Sequence, residues 1–348
     1  MIHPATYGTV SQAVDRIFDT FSLHLRDRNV FIKPNVLRAS RPDEGIVTHP
    51  AVLRAVVDKV ESLGAASIVV GDNPGVYGYG ANEDAFMSTG LAEAAKGHYR
   101  NIGNDSRPIP FNPRYLAEVT ISRAILDADV VISLPKFKTH GLTVMTGAIK
   151  NSYGFLPGAQ KARLHKAAGS AERFHAMLVD LFRLRIPDLF IMDAIVGMEG
   201  NGPASPDLRT IDRLMASDNA VAIDAVAAAM MGLEPRQLPF LARASEAGLG
   251  HHDLSSVSVM GEIERLPHFK LPPLSGAANL QNEDLQALFE GRARQRPRAD
   301  SALCVGCGAC VDQCPVSALV MKNHIPEVNR GICIACFCCQ EICPEKAI

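Results

Sequence analysis

Before residue 304 this 348-residue chain has no cysteine at all. That excludes a disulfide framework for nearly the whole length, and with it the small oxidised scaffolds of secreted proteins. An excess of charge of one sign is also lacking: 35 Lys and Arg against 37 Asp and Glu leave a net −2, so bulk electrostatics give no sign of a nucleic-acid partner. Long hydrophobic runs are missing too. The most apolar stretch, Ala220 to Leu233, is interrupted by Asp224 and is shorter than a bilayer crossing, so no membrane span is expected. The first residues, MIHPATYG, lack a cationic region followed by an apolar core and do not read as a signal peptide. These absences predict a reducing, cytoplasmic setting with neither nucleic acid nor membrane as partner. The rest of the composition, 47% hydrophobic and 21% charged, is ordinary for a globular protein, and the length asks for two domains or more.

What the chain does have is concentrated at its end. All nine cysteines fall between Cys304 and Cys343, and eight of them spell one phrase twice. Cys304, Cys307, Cys310 and Cys314 precede Pro315 in a C-x-x-C-x-x-C-x-x-x-C-P run, and Cys333, Cys336, Cys339 and Cys343 precede Pro344 in a second. Runs of this spacing hold two 4Fe-4S clusters in bacterial-type ferredoxins, the fourth cysteine of each run ligating the other cluster. The expected ligand sets are therefore Cys304, Cys307 and Cys310 with Cys343, and Cys333, Cys336 and Cys339 with Cys314. Zinc sites favour paired Cys-x-x-Cys units without the closing proline, and disulfides would need an oxidising compartment, so both alternatives fit less well. Cys338 has no place in the repeat and reads as a small packing residue.

The body ahead of the cysteines alternates short β-branched runs with helical patterns, which predicts an α/β domain with a largely parallel sheet and flanking helices. One unit shows the logic: a helix starts at Thr48-His49-Pro50, carries Ala51, Val52, Ala55, Val56, Val60 and Leu63 on one face, stops at Gly64, and passes to a strand at Ile68 to Val70. Further strands are expected at Val30 to Ile32, Val130 to Ile132 and Leu189 to Met192, and a buried helix over Asp218 to Met231. Pro267, Pro272 and Pro273 mark an irregular return, and Gly291 to Pro297, with Arg292, Arg294 and Arg296, reads as a linker. The expected division is an α/β domain over 1–290, a linker over 291–299, and a small α+β ferredoxin-like domain over 300–348 that holds both clusters. Within that last domain a strand-like run follows Cys314-Pro315 at Ala318 to Met321 and the chain returns at Pro326 to Val328. The second copy has no matching continuation before Ile348, so either that last strand is missing from this sequence or the protein closes its cluster domain differently.

Ligands of open parallel sheets bind outside the carboxyl ends of the strands, and here those ends are polar. The strand ending at Ile32 delivers Lys33 and Asn35; the one ending at Val70 delivers Asp72 and Asn73. Val130 to Ile132 delivers Ser133, Lys136, Lys138, Thr139 and His140, with Lys150 and Asn151 close behind. Leu189 to Met192 delivers Asp193, then Glu199 and Asn201. Ammonium groups gathered this way suit a carboxylate or phosphate, with Lys138 and His140 as candidate catalytic groups and Lys33, Asn35, Asp72, Lys136, Lys150, Asn151, Asp193, Glu199 and Asn201 as candidate binding groups. The glycines at 71, 75, 78 and 80 do not match the dinucleotide fingerprint. His165, His175, His251 and His252 have no partner at ligand spacing and read as solvated or capping residues.

Four segments together resemble the "domain of unknown function 362" family: Lys33-Pro34-Asn35, Gly71 to Gly75, Leu134 to His140 with Thr146 to Asn151, and Gly197 to Pro203. The resemblance spans most of residues 29–235, with the lysine and histidine segment its most specific part. It implies iron–sulfur binding in a prokaryotic, often anaerobic, setting, with a two-cluster module at the C-terminus. The chain departs from the family pattern after Pro203, where Ala204 to Asp207 replaces a glycine-containing turn.

Two functions compete at this level. In one, a low-potential donor or redox partner protein feeds the clusters, and electrons reach a small anionic substrate in the α/β cleft, making the protein an oxidoreductase of ferredoxin-dependent type. In the other, the protein is an electron-transfer or assembly factor whose lysines dock a partner protein. Clusters acting only as structural supports form a third reading.

Overall fold

The computed structural model describes residues 1–75, 78, 80–272 and 296–348. The linker expected over 291–299 lies outside the described residues up to 295, as does Pro273.

The central sheet is built around β2 (Asn29–Pro34), whose side chains from Val30 onward are all buried. It pairs in parallel with β3 (Ser67–Val70) on one side and β6 (Val130–Leu134) on the other. β6 in turn pairs in parallel with β9 (Leu189–Met198), and β10 (Leu208–Ser217) and β1 (Ile2–Pro4) close that edge antiparallel. The strand order β1-β10-β9-β6-β2-β3 is thus a parallel core with an antiparallel border. Continuous apolar runs suit it, because helices cover both faces and leave no side for water. Alternation along the strands sorts the two cores. Val30 and Ile32 meet α1 (Val10–Thr20) and α2 (Pro50–Ser62), while Phe31 and Val131 meet α7 (Gln160–Ala168) and α8 (Ala171–Phe182). A third cluster lies between α6 (Gly147–Asn151), α9 (Ala220–Met230), α10 (Pro239–Glu246) and the β9–β10 pair.

Local chemistry explains the boundaries. His49 caps α2, its side chain accepting from the Ala51 amide at 3.1 Å, and Pro50 occupies the first helical turn. Asn219 caps α9 by accepting from the Ala222 amide at 3.0 Å. Two expectations are corrected. Lys136–His140 is not a loop at a strand end but a strand, β7, paired with β9 and wholly buried. Pro135 interrupts the chain after β6, and the ten-residue β9 is long enough to pair first with β6 and then with β7. For the same reason Asp193 sits inside β9 rather than beyond its end.

The cysteine-rich end folds around a hairpin of β11 (Leu319–Lys322) and β12 (Ile325–Val328). Its two-residue turn is Asn323-His324, both at positive φ, as a tight hairpin of this twist requires. A short helix lies within each run of cysteines, at Ala309–Asp312 and at Cys338–Ile342. The Asp300 amide donates to the Ala347 carbonyl at 2.7 Å, tying the module's first residues to its last. This unit packs on the α/β body: Phe337 joins the core formed by α7 and α8, Gln340 donates to the Asn201 carbonyl at 3.3 Å, and Lys346 faces Glu44 at 3.8 Å. Gly141 makes the approach possible, while Gly202 makes a tight contact within the α/β body. A side chain on Gly141 would meet Gln340, and one on Gly202 would run into the Thr139 carbonyl at 2.1 Å. Among the described residues no helix is long and apolar enough to cross a membrane.

Candidate functional site

Parallel pairing of β2 with β3 sets the end of one beside the end of the other. Lys33 and Asp72, 1% and 2% exposed, form an ion pair of 2.8 Å. Both partners are further satisfied, which keeps a buried pair from being a liability. Asp72 accepts from the Val36 amide at 2.8 Å and the Asn73 amide at 2.9 Å, and Lys33 donates to Asn151 at 3.2 Å. Asn151 also accepts from Asn35 at 3.1 Å and donates to Ser133 at 2.9 Å. Four segments of the chain are thereby locked together at one end of the sheet.

Above this floor lies a cavity of about 70 Å³, whose lining includes Asn35, Asp72, Lys138, His140, Lys150 and Asn151. From α7 come Lys161 and His165, one turn apart, and from the 3-10 turn before it Tyr153. The opposite wall belongs to the cysteine-rich module, through Gln313, Cys338, Glu341 and Ile342.

Most cations here are already engaged. Lys138 donates to the Ile46 carbonyl at 2.6 Å, and Lys161 donates to the carbonyls of Asn73 and Pro74. Burial, reinforced by Lys150, drives the Lys138 ammonium well below its ordinary pKa. Burial likewise takes Lys161 down to about 7, Asp72 opposing. His140 accepts at Nδ1 from the Leu142 amide at 3.0 Å, which puts its proton on Nε2. Burial, then Lys150, lowers it to about 3, so the ring is neutral at pH 7. That Nε2 lies 3.0 Å from Glu341 Oε1 but is not aimed along it, leaving both atoms short of a geometric hydrogen bond. Burial raises Glu341, yet His140 and Lys150 outweigh it and hold the carboxyl down to about 2.

Lys150 is mounted on α6, whose first amides, Ala148 and Ile149, donate to the buried Asp224 carboxylate at 2.5 and 3.0 Å. No side chain fits at Gly147, where a Cβ would stand 2.5 Å from Asp224.

Several residues named from sequence lie elsewhere. Lys136 pairs with Asp193 at 2.7 Å and touches the Tyr7 hydroxyl at 3.1 Å, while Asp193 also accepts from the His49 amide at 2.9 Å. This is a separate buried group, because Lys136 and Asp193 face each other across the β7–β9 pairing. Glu199 binds Arg209 at 2.8 Å. Asn201 meets the cysteine-rich module only through its carbonyl. His165 and His175, expected to be solvated, are interior: His165 stacks on Phe174 at 4.4 Å and His175 on Phe240 at 5.8 Å. Sequence reasoning missed Lys161, Tyr153 and Glu341. The one available sign was the Lys161–His165 spacing, which puts both on one face of a helix.

The cysteines offer a fit for an iron–sulfur group. Cys304, Cys307 and Cys310 of the first run and Cys343 of the second line one cavity with Val305, Met321 and Pro326. The Ala318 amide donates to Cys314 Sγ at 3.2 Å and the Ala347 amide to Cys343 Sγ at 3.3 Å, the kind of bond that stabilises a ligating thiolate. Cys333, Cys336 and Cys339 lie within electrostatic reach of one another. Among the described residues no three His, Cys, Asp or Glu side chains surround a single-ion position. Cys338 faces the cavity between the two domains.

A largely parallel α/β domain closed at one end by a ferredoxin-type cysteine module defines an iron–sulfur protein of the electron-transfer class. Residues 30–229 match the family model described as Domain of unknown function (DUF362), and residues 296–344 match that of a 4Fe-4S dicluster domain. The chain belongs to the DUF362 family. It is 35% identical over 232 residues to a thylakoid-associated protein of Synechocystis sp., an alignment covering 63% of this chain and 68% of that protein.

Proposed function

We propose that this protein holds two 4Fe-4S clusters and passes their electrons to a small anion bound between its two domains. The observation that carries this reading is the cavity itself, in which Lys138, His140 and Lys150 from one domain face Cys338 and Glu341 from the other. Lys138, Lys150 and Lys161 all line this low-dielectric space, and a bound anion would favour the charged ammonium forms that burial alone disfavours. Bound clusters would supply low-potential electrons one at a time, received from a redox partner protein or another low-potential donor.

The chain's own residues do the rest. Lys150 anchors the anion, because its ammonium faces the cavity. Lys138, fixed on β7 by its bond to the Ile46 carbonyl, gains charge when an anion sits beside it. His140, neutral and with its proton on Nε2, is placed to donate a hydrogen bond to the bound ligand. Asn35, Asp72, Lys33 and Asn151 fix the floor. The docked cysteine-rich module walls one side of the site and limits its contact with water.

The competing reading, a factor that uses its lysines to dock a partner, calls for lysines on the surface. Lys33, Lys136 and Lys138 are 1 to 2% exposed, which favours the enzyme. The compartment that fits best is a reducing one such as the cytoplasm, since every cysteine lies in or beside a ligand run.

Anaerobic purification followed by mass spectrometry of retained small molecules tests the proposal. A stoichiometric organic anion that is chemically reduced when dithionite is added is the expected result. An empty cavity together with a co-purifying protein partner would turn the reading toward the docking factor.

A further inference from the structure

Lys150 differs from the other cations of the cavity. Lys33 is neutralised by Asp72, Lys138 is spent on the Ile46 carbonyl, and Lys161 is spent on Asn73 and Pro74. No described residue accepts a hydrogen bond from the Lys150 ammonium, which instead lies within electrostatic reach of Glu341 and Cys338. Cys338 stands between Cys336 and Cys339, two of the thiols of the second run. Of the first run, Gln313 reaches this cavity and none of its thiols lines it. Cys304, Cys307, Cys310 and Cys343 line a different, apolar cavity, and the nearby cation there is Arg38, close to Cys343.

We infer that Lys150 is shared: it anchors a compact oxyanion in the cavity, and it stabilises the reduced state of the cluster held by Cys333, Cys336, Cys339 and Cys314. This rests on the proposed function and adds a thermodynamic link to it. Reduction adds one electron, taken from an external reductant, and makes or breaks no bond. The added negative charge is stabilised by an ammonium without a hydrogen-bond acceptor and less so by one already paired with an oxyanion. Oxyanion binding and reduction of that cluster are therefore antagonistic. By linkage, whatever factor the anion takes from reduction, reduction takes from anion affinity. The sense is useful for turnover: the oxidised protein captures the anion, and charge arriving next door loosens the grip on the product.

The test is potentiometric titration of the intact, cluster-loaded chain, followed by electron paramagnetic resonance, with inorganic phosphate as probe and chloride at equal ionic strength as control. Phosphate is expected to shift one of two couples to more negative potential and to bind the reduced protein roughly tenfold more weakly than the oxidised. Lys150→Met is expected to lower that same couple without phosphate and to abolish the phosphate effect, Lys150→Arg to preserve both, and the exposed Lys270→Met to change neither. Equal movement of both couples, or a Lys150→Met protein with wild-type potentials, overturns the inference. If Lys150→Met loses iron, Lys150→Arg and the wild-type phosphate titration still decide the matter. Clusters that reduce normally but ignore phosphate sink the coupling and leave electron delivery standing; clusters that dithionite cannot reduce sink both.

Discussion

The Glu341 carboxylate of the cysteine-rich module lies 3.0 Å from the His140 ring nitrogen of the α/β domain, 201 positions earlier in the chain. Both are almost fully buried, so the contact is made only when the two domains are docked. Glu341→Ala would leave the His140 N–H and the Lys150 ammonium facing an emptied site. The expected loss is about 1–3 kcal/mol of docking stability, the penalty for leaving buried polar groups without their counterpart. Amide exchange over Lys136 to Thr146 should speed up accordingly, with iron content unchanged. Unaltered exchange in that segment would show that the pair does not hold the domains together.

Iron content separates the ligand thiols from Cys338. The wild-type protein, prepared without oxygen, should carry about eight iron atoms, the sum of two cubanes. Cys314→Ala should damage the cluster held by Cys333, Cys336 and Cys339 more than the one held by Cys304, Cys307 and Cys310. Cys338→Ala should retain the full iron complement. Iron loss in Cys338→Ala equal to that in Cys314→Ala would make Cys338 a ligand.

Gly154 lies directly over the Lys33–Asp72 pair. A Cβ there would stand 1.9 Å from Asp72 Oδ1 and 2.7 Å from Lys33 Nζ, neither of which has room to retreat. Gly154→Ala is expected to destabilise the α/β domain by roughly 3–5 kcal/mol, the range for a broken buried ion pair. Gly8→Ala, where the nearest atom is Thr6 Oγ1 at 3.8 Å, should be silent in the same denaturation experiment. A Gly154→Ala protein as stable as wild type would mean that the floor of the cavity can shift to make space.

Acid should weaken the fold in part through His165. Burial lowers its pKa from the ordinary 6.5 to about 4, with Glu341 opposing and Lys150 and Lys161 assisting. Between those values the unfolded chain binds a proton that the folded chain refuses. Stability therefore rises with pH through this window and is lost as pH falls from about 6.5 toward 4, by up to about 3 kcal/mol for this one group. His165→Gln, which cannot titrate, should flatten that part of the stability profile while leaving the neutral side little changed. Equal acid losses in wild type and variant between pH 6.5 and 4.5 would rule His165 out as a contributor.

Sequence alone determined whatever depends on residues close together in the chain. The two cysteine runs occupy 40 consecutive positions, and their spacing defines an iron–sulfur module without reference to anything distant. The β-branched cores of β2, β3, β6 and β9 were equally legible, because strands buried on both faces need uninterrupted apolar runs. So were Lys33, Asn35 and Asp72 near the ends of β2 and β3. Tertiary structure decided the rest. A run such as Lys136 to His140 carries no local sign of being a buried strand; its pairing with β9, 57 residues away for Lys136 and Asp193, makes it one. That pairing gives Lys136 to Asp193, while Lys138 and His140 reach the cavity. Lys161, Tyr153 and Glu341 join the same cavity from segments whose patterns show only a helix, a turn and a cysteine motif. Which side chains share a buried space depends on strand register and on how one domain seats against another, and neither quantity is encoded in the spacing of neighbouring residues.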